Sequence, residues 1–173
     1  IVQGGGAQPD DWTFTISGVQ GTFSSGDSTA LPTGTYTVTE SGPTGYSLTA
    51  VGGVCSDMNG NDATLTVTAQ GGTCSFTNTR DTGTLTVIKH VINDNGGTNV
   101  AGDFTMLVSG EQVSDDSFPG NEQGTTVTLN TGSYSVDEQG PDGYEKTLGT
   151  NCSGTIAKGE HKTCTVTNND IQP

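Results

Sequence analysis

Apolar residues recur at every second position in short bursts along this chain, with polar residues between them. Trp12, Phe14 and Ile16 fall on one face of such a burst, as do Phe104, Met106 and Val108. Tyr36 and Val38 share a face, and so do Tyr134 and Val136, Leu65 and Val67, and Val127 and Leu129. A period of two is the signature of a half-buried strand. Thr, the commonest residue, and Val reinforce it, because β-branched side chains suit a pleated surface. Clusters of Gly, Asn, Asp and Pro separate the bursts, at 42–45, 57–62, 93–97 and 140–143. These residues supply the backbone angles of turns. No segment carries a helical period. Many short strands with regular turns predict an all-β, Ig-like sandwich architecture.

The pattern also repeats. Residues 11–18 (DWTFTISG) match 103–110 (DFTMLVSG), 33–46 (TGTYTVTESGPTGY) match 131–144 (TGSYSVDEQGPDGY), and 74–78 (CSFTN) match 164–168 (CTVTN). The order is the same in both halves. We therefore expect two tandem homologous domains, 1–82 and 83–173, with the boundary inside residues 80–83. Duplication decides the cysteine pairing as well, since each half must be closed by its own pair. The expected bridges are Cys55–Cys74 and Cys152–Cys164, each worth about 3 kcal/mol in small, core-poor domains. An even set of cysteines with no CxxC and only two histidines excludes a zinc site and points to an oxidising, extracellular compartment.

Composition narrows the function classes. Nineteen acidic against five basic residues give a net charge of −14. That excludes nucleic acid as a partner, because binding it needs Lys and Arg to replace phosphate counterions. No apolar run approaches the roughly 18 residues of a membrane span, so membrane insertion is not expected. His90 and His161 lie in different repeat contexts, and no nucleophile, metal-protease or phosphate-loop motif occurs in a suitable setting. The expectation is a protein that is not an enzyme on external substrates and that needs no cofactor. Residues 57–62 (DMNGND) place oxygens like a calcium loop, but turn chemistry accounts for the same residues. Asp115 and Asp116 read as a solvated loop, and residues 151–153 (NCS) match a glycosylation acceptor.

Three polar residues break the alternation. The strand over residues 85–91 puts Leu85, Val87, Lys89 and Val91 on the apolar face. By the same parity Glu138 points inward with Tyr134 and Val136, and Asn168 with Cys164 and Val166. An amine, a carboxyl and a carboxamide are thus directed into one core, where an unpaired charge costs several kcal/mol. Two readings follow. One is a buried Lys–Glu ion pair hydrogen-bonded by Asn. The other is chemical: a desolvated Lys89 loses its proton, attacks the Asn168 side chain with Glu138 as proton shuttle, and forms an isopeptide bond as ammonia leaves.

This triad resembles that of the B-type domains of Gram-positive collagen adhesins and the related prealbumin-like modules of sortase-assembled pilins. Their pattern is a Lys on the first strand, a Glu just before a P-x-GY turn and an Asn ending the last strand. Here that is VIK at Lys89, VDEQGPDGY at Glu138 and VTN at Asn168. The resemblance covers the second half and nearly all of the first. It implies an extracellular or cell-surface β-sandwich module used as a stalk or fibre unit, so the expected partners are copies of the chain itself in a head-to-tail polymer. A ligand-binding adhesin or stalk module of a larger surface protein, with a host or surface ligand, is the alternative. The cysteine pairs depart from the common pilin pattern.

The first half keeps Glu40 and Asn78 but has no Lys, and most of its first strand is missing. Aligning the repeats places the absent Lys just before Ile1. The gap is filled either by a strand upstream in a longer gene product, by a strand from a neighbouring copy, or by Ile1 itself.

Overall fold

The computed structural model describes residues 1–172, and it realises the alternation as sixteen strands with two one-turn 3-10 helices. The chain divides into two compact units, Ile1–Arg80 and the remainder from Asp81.

Unit 1 contains β1 (Val2–Gln3), β2 (Thr13–Ile16), β3 (Phe23–Ser24), β4 (Gly34–Ser41), β5 (Tyr46–Gly53), β6 (Cys55–Asn59), β7 (Asp62–Val67) and β8 (Cys74–Arg80). They form a five-stranded sheet, β3-β2-β4-β7-β6, and a three-stranded sheet, β1-β8-β5. Unit 2 contains β9 (Thr82–Ile92), β10 (Thr105–Ser109), β11 (Ser117–Pro119), β12 (Thr125–Asn130), β13 (Gly132–Gln139), β14 (Tyr144–Leu148), β15 (Ser153–Ile156) and β16 (His161–Asp170). Its two four-stranded sheets are β11-β10-β13-β15 and β12-β9-β16-β14. Leu85, Val87 and Val166 from one sheet meet Met106, Val108 and Val136 from the other in a single core.

The repeat is reproduced in detail. Each unit turns through a 3-10 helix, Pro9–Asp11 or Ala101–Asp103, closed by a carboxylate that accepts a backbone N–H: Gln8 to Asp11 and Val100 to Asp103, both at 2.8 Å. The next residue is a buried aromatic that meets the tyrosine of the P-x-GY turn edge-on, Trp12 with Tyr46 at 5.3 Å and Phe104 with Tyr144 at 5.5 Å. The glycine opening that turn lies under the aromatic. A Cβ on Gly42 would come within 2.2 Å of Trp12, and one on Gly140 within 2.2 Å of Phe104.

The disulfides are Cys55–Cys74, joining the starts of β6 and β8, and Cys152–Cys164, joining the loop before β15 to β16. The units differ in core size. Thirteen buried residues make up the cluster in unit 2 but only six the one in unit 1. The cause is the first strand. In unit 2 the eleven-residue β9 lies between β12 and β16, whereas β1 has two residues. Residues 29–32 are the repeat counterparts of 127–130 in β12, yet they form no strand.

Candidate functional site

Alternation along β9 turns Lys89 into the core of unit 2, where it is fully buried. Its Nζ lies 3.3 Å from Glu138 Oε2, 4.3 Å from the centre of the Phe104 ring, and donates to the His90 carbonyl at 3.2 Å. Gly120 crosses directly over its stem, where a Cβ would stand 2.7 Å from Lys89 Cγ. Glu138 is brought up by β13, opposite Met106 of β10, with its side chain 5% exposed. Asn168 comes from β16, which runs parallel to β9 with Val166 opposite Lys89 and Asn168 opposite Val91. It too is buried.

The electrostatics are tense. Burial pulls the Lys89 amine below its ordinary range, and the neighbouring Glu138 charge opposes that pull. Glu138 Oε2 and Asn168 Oδ1 are buried without a hydrogen-bond partner among the described residues, so the 3.3 Å Lys89–Glu138 contact is an ion pair rather than an aligned hydrogen bond. A buried acceptor left in this state costs about 1–3 kcal/mol. An amine whose charge burial disfavours, a buried carboxyl and an unsatisfied carboxamide thus come together from three strands.

Unit 1 holds the matching dyad in a different state. Glu40 and Asn78 are buried, and Asn78 Nδ2 donates to Glu40 Oε1 at 2.7 Å. Burial pushes the Glu40 carboxyl up, against the opposing pull of the Asn78 hydrogen bond and the Ile1 amino group. Val2 stands opposite Asn78 in the parallel β1–β8 pairing, as Val91 does opposite Asn168. Ahead of Ile1 the line of the strand opens into a groove of about 740 Å³, bounded by residues 24–31 on one side and 73–78 on the other. Trp12, Phe14, Ile16, Leu31 and Phe76 line it, with Glu40 and Asn78 at its end. Ile1 lines it and is 67% exposed; its amino group donates to the Phe76 carbonyl at 2.7 Å and its carbonyl accepts the Asn78 N–H at 2.8 Å. Arg80 is the one Lys or Arg of unit 1, and it donates to the Gly45 carbonyl at 2.7 Å and lies over the Tyr46 ring.

The other sequence candidates have plain local roles. Residues 57–62 run from the end of β6 through the hairpin turn to the start of β7, with Asn59 opposite Asp62. Asp115 and Asp116 are exposed. Asn151 is exposed and offers its carbonyl to the Tyr134 hydroxyl at 2.8 Å, while Cys152 beside it is bridged. His90 Nδ1 contacts Glu122 at 2.9 Å, and His161 Nδ1 contacts the Thr84 hydroxyl at 2.9 Å. Two residues that the alternation does not single out are structural anchors. Glu122 also accepts the Val91 N–H at 3.0 Å. Asp170 is buried and accepts the backbone N–H groups of Asp94, Asn95 and Gly97. Burial alone would raise the Asp170 carboxyl, but these donors outweigh it and hold it low.

A family model described as a prealbumin-like fold domain matches residues 1–76 and again residues 80–169. The chain belongs to that family. The expected all-β architecture of two prealbumin-like sandwiches agrees with this double match. No curated protein sequence matches the chain. Among solved structures, the Bacillus anthracis TIE protein is 18% identical with a TM-score of 0.49, over 93% of this chain and 31% of that one. The pilus adhesin SpaC from Lactobacillus rhamnosus GG, in its open conformation, is 19% identical with a TM-score of 0.47, over 100% and 31%. The major pilin protein (T3.2) from Streptococcus pyogenes is 18% identical with a TM-score of 0.37, over 79% and 67%. The prealbumin-like chain thus spans about a third of the length of the first two. No helix among its described residues is long and apolar enough to cross a membrane.

Proposed function

We propose that this prealbumin-like protein is a structural subunit of an extracellular, pilus-like surface filament, assembled by a strand that a neighbouring subunit donates into unit 1. The observation that carries this reading is the groove of unit 1, lined by Ile1 and Val2 at the start of the chain and by Phe76 and Asn78 of β8. A sheet missing a strand exposes unpaired backbone and apolar surface, and adding a strand satisfies both at once. Head-to-tail addition does not close on itself, so repetition gives a fibre. The net charge of −14 keeps the subunits soluble before assembly.

In unit 2 we assign the role of internal staple to Lys89, Glu138 and Asn168. Lys89 Nζ attacks Asn168 Cγ, the Cγ–Nδ2 bond breaks, Glu138 passes the proton to the departing nitrogen, and ammonia leaves. The product ties the first strand to the last. This is a single-turnover self-modification, and the role is structural rather than enzymatic. The alternative, a ligand-binding adhesin or stalk module, would call for exposed aromatic surface. Trp12 and Tyr134 are buried, and the Tyr46 and Tyr144 hydroxyls bond to Gly4 and Asn93 within their own units.

Electron microscopy of unconcentrated material from the native source tests the reading. A regular fibre with one two-domain subunit per repeat is expected. Dispersed particles alone would overturn it in favour of the stalk or adhesin module.

A further inference from the structure

Two Asn-Gly dipeptides occur in the chain, Asn59–Gly60 and Asn95–Gly96, and the fold holds them in opposite ways. An asparagine side chain is open to attack by the backbone nitrogen of the next residue, and a glycine there leaves that nitrogen unshielded because it has no Cβ. We propose that Asn59, at the tip of the β6–β7 hairpin, is a site of self-modification, where the Gly60 nitrogen displaces the side-chain amide and water then leaves a carboxylate in its place. The modification needs neither a filament nor a Lys89–Asn168 bond.

Both asparagines are exposed, so access does not separate them. Freedom does. Asn95 Nδ2 donates to Asp94 Oδ1 at 2.7 Å and to the Asp170 carbonyl at 3.1 Å. Its backbone N–H is held by Asp170 Oδ2 at 2.9 Å, and the Gly97 N–H by the same oxygen at 2.6 Å. Asp170 is itself buried, so the chain on both sides of Gly96 is pinned to the body of unit 2. These bonds must open before the Asn95 Cγ can swing onto the Gly96 nitrogen. Asn59 has no such anchor, and its side chain makes no hydrogen bond among the described residues. It ends β6, the edge strand of its sheet, and faces Asp62 across a two-residue turn. The ladder is irregular just before it: the register shifts between Ser56 and Asn59, and Asp57 sits in the left-handed region at φ 51°. Gly60 sits there too, at φ 61°, with open space where a Cβ would stand. The turn is tethered beyond the pair, where the Asn61 carbonyl accepts the Glu40 N–H at 2.9 Å.

In the step, the Gly60 N–H gives its proton to hydroxide, the freed nitrogen bonds to Asn59 Cγ, and the Cγ–Nδ2 bond breaks as ammonia leaves. The product is a cyclic imide, which water reopens. Water adding at Cγ leaves an aspartate. Water adding at the main-chain carbonyl leaves an isoaspartate, in which the backbone runs through the former side chain. One amide and one water become one carboxylic acid and one ammonia, so atoms balance without oxidant or cofactor. Either product adds a negative charge to a chain that already carries −14. That charge lands opposite Asp62 and two residues from Asp57, and like charges facing each other across a strand pair weaken it. The isoaspartate also inserts an extra carbon into the backbone at a tight turn. The Cys55–Cys74 bridge holds the other end of β6 in place.

The test incubates the full 173-residue chain, folded and at mildly alkaline pH, and maps its peptides by mass spectrometry at intervals after digestion at mildly acidic pH. Intact mass does not serve, because the imide is lighter by about 17 Da, the same loss as an isopeptide bond. The expected result is the growth of two separable forms of the Asn59 peptide, each heavier by about 1 Da, at a rate that rises with pH. Asn95 should convert at least about tenfold more slowly while the fold persists. In denaturant, where no anchor survives, the two sites should convert at similar rates. Asp170→Asn should speed conversion at Asn95 and leave Asn59 unchanged. Asn59→Gln should abolish conversion at this position and leave the Trp12 fluorescence of the folded unit as it was. An Asn59 that stays unmodified would overturn the proposal. So would equal rates at the two sites in the folded chain, which would deny the anchor its role, or a preference for Asn59 that persists in denaturant, which would move the cause into the local sequence.

Discussion

Val2 stands opposite Asn78 in the parallel pairing of β1 with β8. That register aligns unit 1 with unit 2 residue for residue, and it means the two units differ by a strand and not by a shift. Unit 2 carries its amine on that strand; unit 1 keeps only the groups that an amine would meet.

The first prediction concerns mass. With Lys89 and Asn168 joined, the intact protein should weigh roughly 17 Da less than the sequence with two disulfides, one ammonia for one bond. Lys89→Arg and Asn168→Ala should each restore the missing mass apart from the substitution itself. High-resolution mass spectrometry decides it, and an unmodified mass in the native protein would leave the three residues as a buried ion pair.

Reduction should separate the units. Cutting Cys55–Cys74, which closes a separation of 19 residues, should cost unit 1 about 3 kcal/mol from a small core. Cutting Cys152–Cys164 costs unit 2 a similar amount, but there the proposed Lys89–Asn168 bond would still join first strand to last. Trp12, the only tryptophan, reports unit 1 alone. In reductant its fluorescence transition should fall well below the unfolding of unit 2 followed by tyrosine signals, and coincident transitions would argue against the staple.

Glu40 makes a signed prediction for pH. Its folded carboxyl titrates above the ordinary 4.5, so just above that pH the folded state still holds a proton that the unfolded state has released. Its contribution is fully present below 4.5 and is lost as pH rises through the folded value. Glu40→Gln removes that slope. Denaturant midpoints followed at Trp12 from about pH 4 to pH 8 should fall in the native protein relative to the variant.

Gly140→Ala tests the close packing beneath the P-x-GY turn. Its Cβ would stand 2.2 Å from Phe104, and Phe104 flanks the Lys89 amine. Overpacking of this kind costs about 1–3 kcal/mol. Chemical denaturation should show a loss in that range in unit 2 and no change in the Trp12 transition.

The buried Asp170 carboxylate anchors residues 94–97. Its low titration means that its contribution is present above the ordinary 3.8 and is lost as pH falls through the folded value. Asp170→Asn should speed amide hydrogen exchange at Asp94, Asn95 and Gly97 by about tenfold or more near neutral pH and leave β9 protected.

Much of this was readable from the alternation. Parity along three strands turned Lys89, Glu138 and Asn168 inward, and the structure buries all three. Duplication gave both cysteine pairs, since a bridge between halves would contradict a repeat. What parity does not encode is how polar groups choose one another. Glu138 meets a lysine, whereas the equivalent Glu40 accepts from its asparagine, a choice of partner that inward parity does not distinguish. Asp170 was illegible for another reason. It sits in a polar stretch after the last apolar position, and its partners are backbone N–H groups of a loop more than seventy residues away, which no side-chain pattern reveals. The 3-10 helices at Pro9–Asp11 and Ala101–Asp103 are a single turn long, too short to show a period.

The parallel pairing of β9 and β16 has a mechanical consequence. Unit 2 is entered near the start of β9 and left near the end of β16, and these points lie at opposite ends of the same strand pair. Tension along the chain therefore loads the two strands in shear, along their length. All nine register pairs, from Thr84–His161 to Ile92–Asn169, resist together, and none can be peeled open singly from a free end. Without a Lys89–Asn168 bond the unfolding rate under such shear, rather than the equilibrium stability, sets how long the unit holds, and with it the load passes through that bond.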